Sequence, residues 1–237
     1  MLGHSHALSG LAVGAATLPW APVDGTVSQV AWIAAAGGFA MLPDLDQRGS
    51  TISRMWGPLT DAPAGAVGLI AQGHRKGTHD AVLAPLAFGG LAMLAADAFW
   101  SSLLLLALGI GLALRALHFV IPGSTETTVL GNLILSWAGA WYLLEHSPSP
   151  AWLPYAVGVG VLTHIAGDFL TKEGVPVPVF WLIRRSRLAP IHLRTGAVIE
   201  RAVLVPAFTV AIAAFVYLNT AAGTALDPLV ERLLSLG

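Results

Sequence analysis

The sequence lacks cysteine and has few charged residues, and each shortage excludes a class of protein. The absence of cysteine excludes disulfide bonds, thiolate zinc sites and thiol nucleophiles. Charged residues make up 11% of the 237-residue chain, against about 25% in a typical soluble domain. Hydrophobic residues make up 55%, and the mean hydropathy is +0.72. This composition argues against an ordinary soluble enzyme and against disorder. With a net charge of −1, the chain lacks the excess of basic residues that binding to nucleic acid requires, so we expect no nucleic-acid partner.

Seven apolar stretches are present, and we interpret them as membrane-spanning helices. They are Ala7–Trp20, Val27–Leu42, Ala81–Phe99, Leu103–Ile121, Val129–Leu144, Trp152–Leu170 and Ala202–Leu218. A spanning helix needs about 20 apolar residues, so the first, second and fifth stretches require flanking residues to cross. Paired glycines within the stretches favour close helix packing in lipid. The predicted fold is all-α, a multi-pass transmembrane helical bundle of about seven helices that forms one integral membrane domain over residues 1–237.

The basic residues predict the orientation of this bundle. If all seven stretches cross the membrane, eleven of the twelve Lys and Arg residues share the side of the N-terminus, and only Arg232 lies opposite. By the positive-inside rule, the N-terminus and the loops 44–80 and 171–201 are then cytoplasmic. We therefore expect a multi-pass protein of a bacterial-type inner membrane, in contact with the lipid bilayer. Parts of both loops, Thr51–Gly73 and Val175–Arg187, are typical of segments that lie in the membrane interface.

Histidine and acidic residues gather at the predicted cytoplasmic helix ends, and they carry the chemistry. The set comprises His6, Asp44, Asp46, His74, His79, His164, Asp168 and Glu200. His164 and Asp168 are four residues apart and share one helix face. Asp44 and Asp46 point the same way if the chain is extended after Pro43. Imidazole and carboxylate ligands without sulfur suit divalent transition metals, and their number exceeds what one ion needs. We expect two ions, Zn or Mn, in a site at the cytoplasmic face.

Each of these residues also has a structural interpretation. A single His–Asp pair can be a hydrogen bond, and Asp44 with Asp46 can form a helix C-terminal turn. His118 is typical of an interfacial side chain, and His4 of a surface residue. Ionisable groups in or next to spanning segments are costly and usually functional, which favours a joint metal site.

The order of these motifs resembles a family of bacterial multi-pass inner-membrane proteins known as membrane-bound metal-dependent hydrolases, one of which is SOS-regulated. The matching motifs are His6 with Gly10, Leu42-Pro-Asp-Leu-Asp46, Gly73-His-Arg-Lys-Gly-Thr-His79, His164 with Asp168, Thr171 and Gly174, and Glu200. Asp80 stands where the family usually has Ser, and His4 is additional. The resemblance implies hydrolysis but leaves the substrate undefined.

The expected function is therefore a metal-dependent hydrolase that opens at the cytoplasmic membrane interface. A metal-activated water would attack a phosphoester or a lipid headgroup. The predicted ligands are His6, Asp44, Asp46, His74, His79, His164 and Asp168. The predicted catalytic residues are Glu200, as a base, a ligand or a residue behind the ligands, and Arg75, whose guanidinium suits negative charge on phosphate. Thr78 and Thr171 are expected to orient ligands.

Two alternatives come from other classes. Intramembrane His and Asp also serve metal-ion or proton transporters. A conduit needs such groups at several depths, whereas here they gather at one face. A structural membrane scaffold explains the hydrophobicity but not the ordered His and Asp pattern.

Overall fold

A computed structural model describes residues 1–119, 128–147, 149–177, 187–223, 225–226 and 228, and it is mostly helical. The sequence predictions for Ile121, Arg184, Arg185 and Arg232 lie outside these residues, as does the middle of Val175–Arg187. The α-helices of the described residues are α1 (Gly3–Thr17), α2 (Gly25–Phe39), α3 (Pro58–Ile70), α4 (Leu83–Ala95), α5 (Phe99–Ala116), α6 (Val129–Glu145), α7 (Leu153–Phe169) and α8 (Val205–Asn219).

Seven of these helices correspond to the seven apolar stretches, and α3 is an additional helix within the predicted interfacial segment Thr51–Gly73. Its start is fixed by Gly57, whose φ of 60° ends the preceding turns, and by Pro58 at the first helical position. The helix predicted for the third stretch is too long, because α4 covers only Leu83–Ala95. At 1.5 Å per residue, 13 residues rise about 20 Å, well short of the hydrocarbon core.

Two helical segments of the described chain are long and apolar enough to cross a membrane by length and composition. One is α5, and the other joins the π-helical turn Glu200–Leu204 to α8, giving Glu200–Asn219. The apolar side chains of α8 also face outward, since none of its residues is buried. The remaining helices have 13 to 17 residues.

Helices α1, α2 and α7 pack against one another at the centre of the structure. α8 lies against α1, α4 against α7, and α5 between α2 and α6. Glycine permits this close packing: a Cβ on Gly10 would lie 2.6 Å from the Ala36 carbonyl oxygen, and one on Gly160 2.7 Å from Phe39. The predicted packing role does not extend to Gly89, Gly90 and Gly158, where an added Cβ meets open space.

The loop between α7 and α8 adds a small sheet that the all-α prediction lacks. Strand β1 (Val175–Pro176) pairs antiparallel with β2 (Arg187–Leu188), with Val175 opposite Leu188. A parallel bridge joins Thr171 to Leu193 next to this sheet. These pairings tie the loop to the end of α7, where His164 and Asp168 lie.

Candidate metal centre

Four chain segments bring the predicted polar residues to one end of the structure. The beginning of α1 carries His6, and the end of α7 carries His164 and Asp168. The turn Leu42–Asp46 follows α2, and the segment before α4 carries His74 and His79. All seven residues that the sequence analysis named as ligands therefore lie in one neighbourhood, where they form two groups of three plus Asp46.

His6, His164 and Asp168 form the first group, which we call the buried triad. Each of the three residues is at most 1% exposed. The imidazole rings of His6 and His164 stack with their centroids 3.8 Å apart. His6 Nε2 lies 3.3 Å from Asp168 Oδ1, and His164 Nε2 lies 3.7 Å from Asp168 Oδ2, as the spacing of four along α7 predicts.

Asp44, His74 and His79 form the second group, which we call the open triad. His79 is buried, whereas the side chains of His74 and Asp44 are 35% and 26% exposed. His79 Nε2 lies 3.4 Å from Asp44 Oδ1, and the rings of His74 and His79 meet edge to face. This group therefore connects the buried triad to the exterior.

The two triads meet where the Nε2 atoms of His79 and His164 lie 3.2 Å apart. The partners of these rings identify their protonated nitrogens. His164 Nδ1 lies 2.6 Å from the carbonyl oxygen of Ala40, which only accepts, so Nδ1 carries the hydrogen. The Thr78 hydroxyl donates to Asp46, and it therefore accepts from His79 Nδ1 at 3.1 Å. In the neutral imidazoles both Nε2 atoms then present lone pairs to each other.

Carboxylate oxygens complete a cluster of acceptors around this meeting point. Asp168 Oδ2 lies 3.7 Å from both Nε2 atoms. It accepts no hydrogen bond from the described residues, although Arg75 Nη2 lies 3.3 Å away as an ion-pair partner. Asp44 Oδ1 lies 3.4 and 3.8 Å from the same two nitrogens. Lone pairs this close repel one another unless a cation lies among them. The donor set, two imidazole nitrogens and two carboxylate oxygens, fits a divalent transition metal.

The neighbouring histidines affect the charge state of Asp44. Burial alone would raise the pKa of Asp44, but the imidazoles of His164 and His79, when protonated, lower it below its ordinary value. A positive charge at the meeting point, whether a proton or a metal ion, therefore stabilises the Asp44 carboxylate.

Asp46 lies behind the open triad and holds its histidines. Its Oδ1 accepts a hydrogen bond from His74 Nδ1 at 2.7 Å, and its Oδ2 accepts from the Thr78 hydroxyl at 2.6 Å. The hydrogen bond to Asp46 raises the pKa of His74, although partial burial opposes the shift. The role of Asp46 as a ligand stays a prediction, because both of its oxygens already have partners.

Arg75 reaches the buried triad from the loop before His79. Its Nη2 lies 3.3 Å from each oxygen of Asp168, and its buried Nη1 has no partner among the described residues. Arg75 has a φ of 60°, and Gln72, three residues earlier, has a φ of 62°. Two non-glycine residues in the left-handed region store strain, which functional loops often do.

Glu200 contacts neither triad directly among the described hydrogen bonds and ion pairs, and it holds the beginning of α1. Its two carboxylate oxygens accept hydrogen bonds from the amides of Leu2 and Gly196, each at 2.6 Å. The Met1 amino group lies 2.5 Å from Asp168 Oδ1. In this structure Glu200 therefore positions the segment that carries His6, and its predicted role as a base stays a prediction.

The remaining polar residues take structural places. Asp80 Oδ1 accepts from the amides of Val82 and Leu83 at the start of α4, so it caps the helix. Thr171 donates to the backbone carbonyl of Asp168, and His118 is exposed after the end of α5. The carbonyl of Ala40, which sets the His164 tautomer, was missed because a backbone group leaves no trace in the sequence.

Comparison with known proteins identifies a family for this chain. The family model described as YdjM inner membrane protein matches residues 1–121, about half of the 237 residues. The matched part contains five of the seven predicted ligands and ends before His164 and Asp168. No curated protein and no solved structure matches the chain. The family and the two long apolar helices both indicate a membrane location.

Proposed function

The chain belongs to the YdjM inner membrane protein family, and we propose that it is a membrane-embedded, metal-dependent hydrolase of phosphoester bonds. In this proposal α1, α2 and α4 to α8 form a multi-pass bundle, with the two triads at its cytoplasmic end. The substrate is a phosphoester at the depth of the lipid headgroups.

The cluster of acceptors between His79 and His164 carries this proposal. Four nitrogen and oxygen acceptors lie within 3.8 Å of one or both Nε2 atoms. Arg75 Nη2 reaches this cluster only at Asp168. Burying such a group without a cation is unfavourable. A purely structural role would give each of these acceptors an ordinary donor, whereas here Arg75 supplies a donor to Asp168 alone.

Both triads would bind metal, and the open triad would also give the substrate access. His6, His164 and Asp168 would hold one ion, and Asp44, His74 and His79 would hold the second. Divalent ions in such a pair polarise the phosphoryl oxygen and lower the pKa of a coordinated water from about 15.7 to about 7. His74 and Asp44 face the exterior, so the substrate enters on their side.

Arg75 is the residue that would bind the substrate phosphate. Asp168 holds its Nη2, which fixes the guanidinium plane, while Nη1 remains available. A planar guanidinium with free donors suits two phosphate oxygens, and it would stabilise the negative charge that develops during attack.

The transporter alternative is weaker because the buried ionisable groups share one end. Among the described residues, the buried ionisable side chains are His6, Asp46, His79, Asp80, His164, Asp168 and Glu200. All of them lie at the triads or next to them. The buried polar residues toward the opposite end, Ser28 and Ser102, carry only hydroxyl groups. A path for ions across the membrane needs ionisable groups at further depths.

Phosphodiester and phospholipid hydrolysis by purified protein tests the proposal. With Zn²⁺ or Mn²⁺ supplied, the wild type should hydrolyse at least one substrate of this class. Asp168→Ala should abolish hydrolysis, because it removes the carboxylate that touches both histidines of the buried triad and His79. His146→Ala is the matched control, because His146 is exposed at the end of α6 and contacts only its own turn and Tyr142 among the described contacts.

Sealed vesicles separate the enzyme from a transporter. The hydrolase proposal predicts no metal flux across vesicles that contain the wild-type protein. Metal flux that Asp168→Ala removes, without any hydrolysis by the wild type, would favour the transporter instead.

A further inference from the structure

An apolar groove begins beside the candidate metal centre and runs between α3, α4 and α5. Its walls include Leu45, Val67, Phe88, Leu91, Leu104 and Leu108. The groove has a volume of about 460 Å³, which lies within the range of small-molecule sites. A packing defect between helices is far smaller, so the groove can hold a ligand.

One short turn separates the groove from the open triad. Leu42 and Leu45 of the turn Leu42–Asp46 line the groove, and Asp44 lies between them. Asp44 faces away from the groove toward His79. A molecule with an apolar chain in the groove would have its polar end at this turn, and the polar end would reach the open triad by passing around the turn.

The groove offers no polar group that needs water. The Ser101 hydroxyl donates to the Ala95 carbonyl at 2.6 Å, and the Thr60 hydroxyl accepts from the amide of Trp56 at 3.1 Å. The hydroxyl groups in the wall are thus satisfied within the chain. An apolar ligand would lose no hydrogen bond by entering.

The length of the groove suits a hydrocarbon chain. On α4 the lining extends from Phe88 to Ala95, which corresponds to about 10 Å along the helix axis. On α5 it extends from Ser101 to Leu108, which is the same length. Leu59 and Leu91 at its edges are 67% and 64% exposed, so the groove opens sideways toward the surrounding bilayer.

The positive charge of Arg75, beside the buried triad, complements a phosphate at the end of such a chain. Arg75 Nη1 is buried beside Asp168 and has no partner in the described part of the chain. A phosphate would supply the missing acceptors. An apolar chain and a phosphate in this order are the chemistry of a phospholipid.

We propose that this groove binds an acyl chain of a phospholipid substrate while its phosphate reaches the triads. The inference rests on the proposed function for the reaction, but binding in the groove needs neither metal nor hydrolysis. Leu45 and Leu91 are then specificity-determining residues, and α3 forms the outer wall of the site.

Photo-crosslinking tests the binding directly. The probe is phosphatidic acid with a diazirine on one acyl chain, placed in phosphatidylethanolamine–phosphatidylglycerol vesicles with the full chain. Adducts should concentrate on groove residues such as Leu91 and Leu104. Ala95→Phe, which fills the far end of the groove, should reduce these adducts by about tenfold, the scale on which one methylene changes binding in an apolar pocket.

Ala87→Phe is the matched control, because Ala87 lies on α4 but is exposed and outside the groove. It should leave the adducts unchanged. Adducts spread evenly over the exposed helix faces, or unaffected by Ala95→Phe in protein that keeps its elution profile, would overturn the inference and identify ordinary boundary lipid. Adducts confined to a dimer contact would favour a second copy of this chain and also overturn it.

Metal-depleted protein separates this inference from the proposed function. Labelling of the groove should persist in metal-depleted protein and in Asp168→Ala. If the groove is labelled but the metal-loaded wild type hydrolyses nothing, the hydrolase proposal alone is contradicted. If the protein hydrolyses long-chain and short-chain substrates equally well and the groove is not labelled, the groove proposal alone is contradicted.

Discussion

Thr78 links Asp46 to His79 of the open triad, and its hydroxyl both donates and accepts a hydrogen bond. It donates to Asp46 at 2.6 Å and accepts from His79 Nδ1 at 3.1 Å. The donated hydrogen fixes the orientation of Asp46, and the accepted one directs the His79 lone pair toward His164. Thr78, which is not a proposed ligand, thus determines the orientation of the proposed ligand His79.

Replacing Thr78 with Val tests this linkage. Val keeps the shape of Thr but can neither donate nor accept, so His79 loses its fixed tautomer. We expect metal affinity to fall by about 10- to 100-fold, the usual effect of losing such a partner. Isothermal titration with Zn²⁺ measures the change. Thr163→Val is the control, because Thr163 bonds only to the Val159 carbonyl on its own helix among the described contacts. Equal affinities in both variants would contradict the linkage.

His74 sets a pH dependence for the open triad. The hydrogen bond from His74 to Asp46 raises the pKa of His74 above its ordinary value. Protons therefore compete with the metal for His74 as the pH falls through this raised pKa, which lies above about 6.5. Asp46→Asn removes the cause of the shift, so metal release should occur at lower pH in the variant. Metal retention measured across a pH series checks this, and coincident release curves would speak against it.

The sequence predicted these residues well where local geometry decides the outcome. His164 and Asp168 share a face because the α-helix repeats every 3.6 residues. The structure places His164 Nε2 3.7 Å from Asp168 Oδ2. It predicted poorly where tertiary contacts decide. Asp44 points toward His164, and Asp46 accepts a hydrogen bond from Thr78. Both partners lie far along the chain, so the sequence gives no sign of these contacts.

At the scale of elements, the turn Leu42–Asp46 is the main departure from the sequence prediction. An extended chain after Pro43 would point Asp44 and Asp46 the same way. The structure instead forms a 3₁₀ turn, because Pro43 has a fixed φ that suits the first turn of a helix. The two carboxylates consequently diverge, Asp44 toward the meeting point of the triads and Asp46 toward His74.

The starts of the helices near the site also differ from the prediction. The sequence predicted His74 and His79 at a helix end, but α4 begins at Leu83 and His79 lies in a separate 3₁₀ turn. Glu200 opens the last helical segment as predicted, although its first turn is π-helical. Asp80 explains the first difference, since its carboxylate caps α4 beyond the histidines.

Gly68 tests the contact between α3 and this turn. A Cβ at Gly68 would collide with the backbone carbonyl of Asp46, so Gly68→Ala must push α3 away from the turn. We expect a loss of about 1–3 kcal/mol in the free energy of unfolding, as for other overpacked contacts, together with weaker metal binding. Thermal unfolding and metal titration measure both effects.

Gly158→Ala is the control for this substitution. Gly158 lies in α7 with open space around its Cβ position, so the variant should be neutral or slightly more stable. If Gly68→Ala keeps wild-type stability and metal affinity, α3 does not position the turn.

At the scale of the whole molecule, most of the described helices are shorter than a standard bilayer requires, and α5 and Glu200–Asn219 are the two long ones. A 15-residue helix such as α1 or α2 rises about 22 Å, against a hydrocarbon core of about 30 Å. A bilayer thins around short spans at modest cost. Thinning at this site would bring lipid headgroups closer to the triads.

The orientation of the chain is a prediction that the basic residues supply. The loops 44–80 and 171–201 should face the cytoplasm, because they hold ten of the twelve Lys and Arg residues. The C-terminus should lie on the opposite side. Reporter fusions within each loop and at the C-terminus check these locations. Loops on different sides of the membrane would separate His74 from His164 and are incompatible with one site.

The metal content of the purified protein tests the central claim most directly. Two triads predict two transition-metal ions per chain in the wild type, measured by elemental mass spectrometry after purification in detergent. His6→Ala, in the buried triad, and His74→Ala, in the open triad, should each retain one ion, and His146→Ala should retain both. A wild-type protein that holds no transition metal, and takes up neither Zn²⁺ nor Mn²⁺ when these are supplied, would contradict the account.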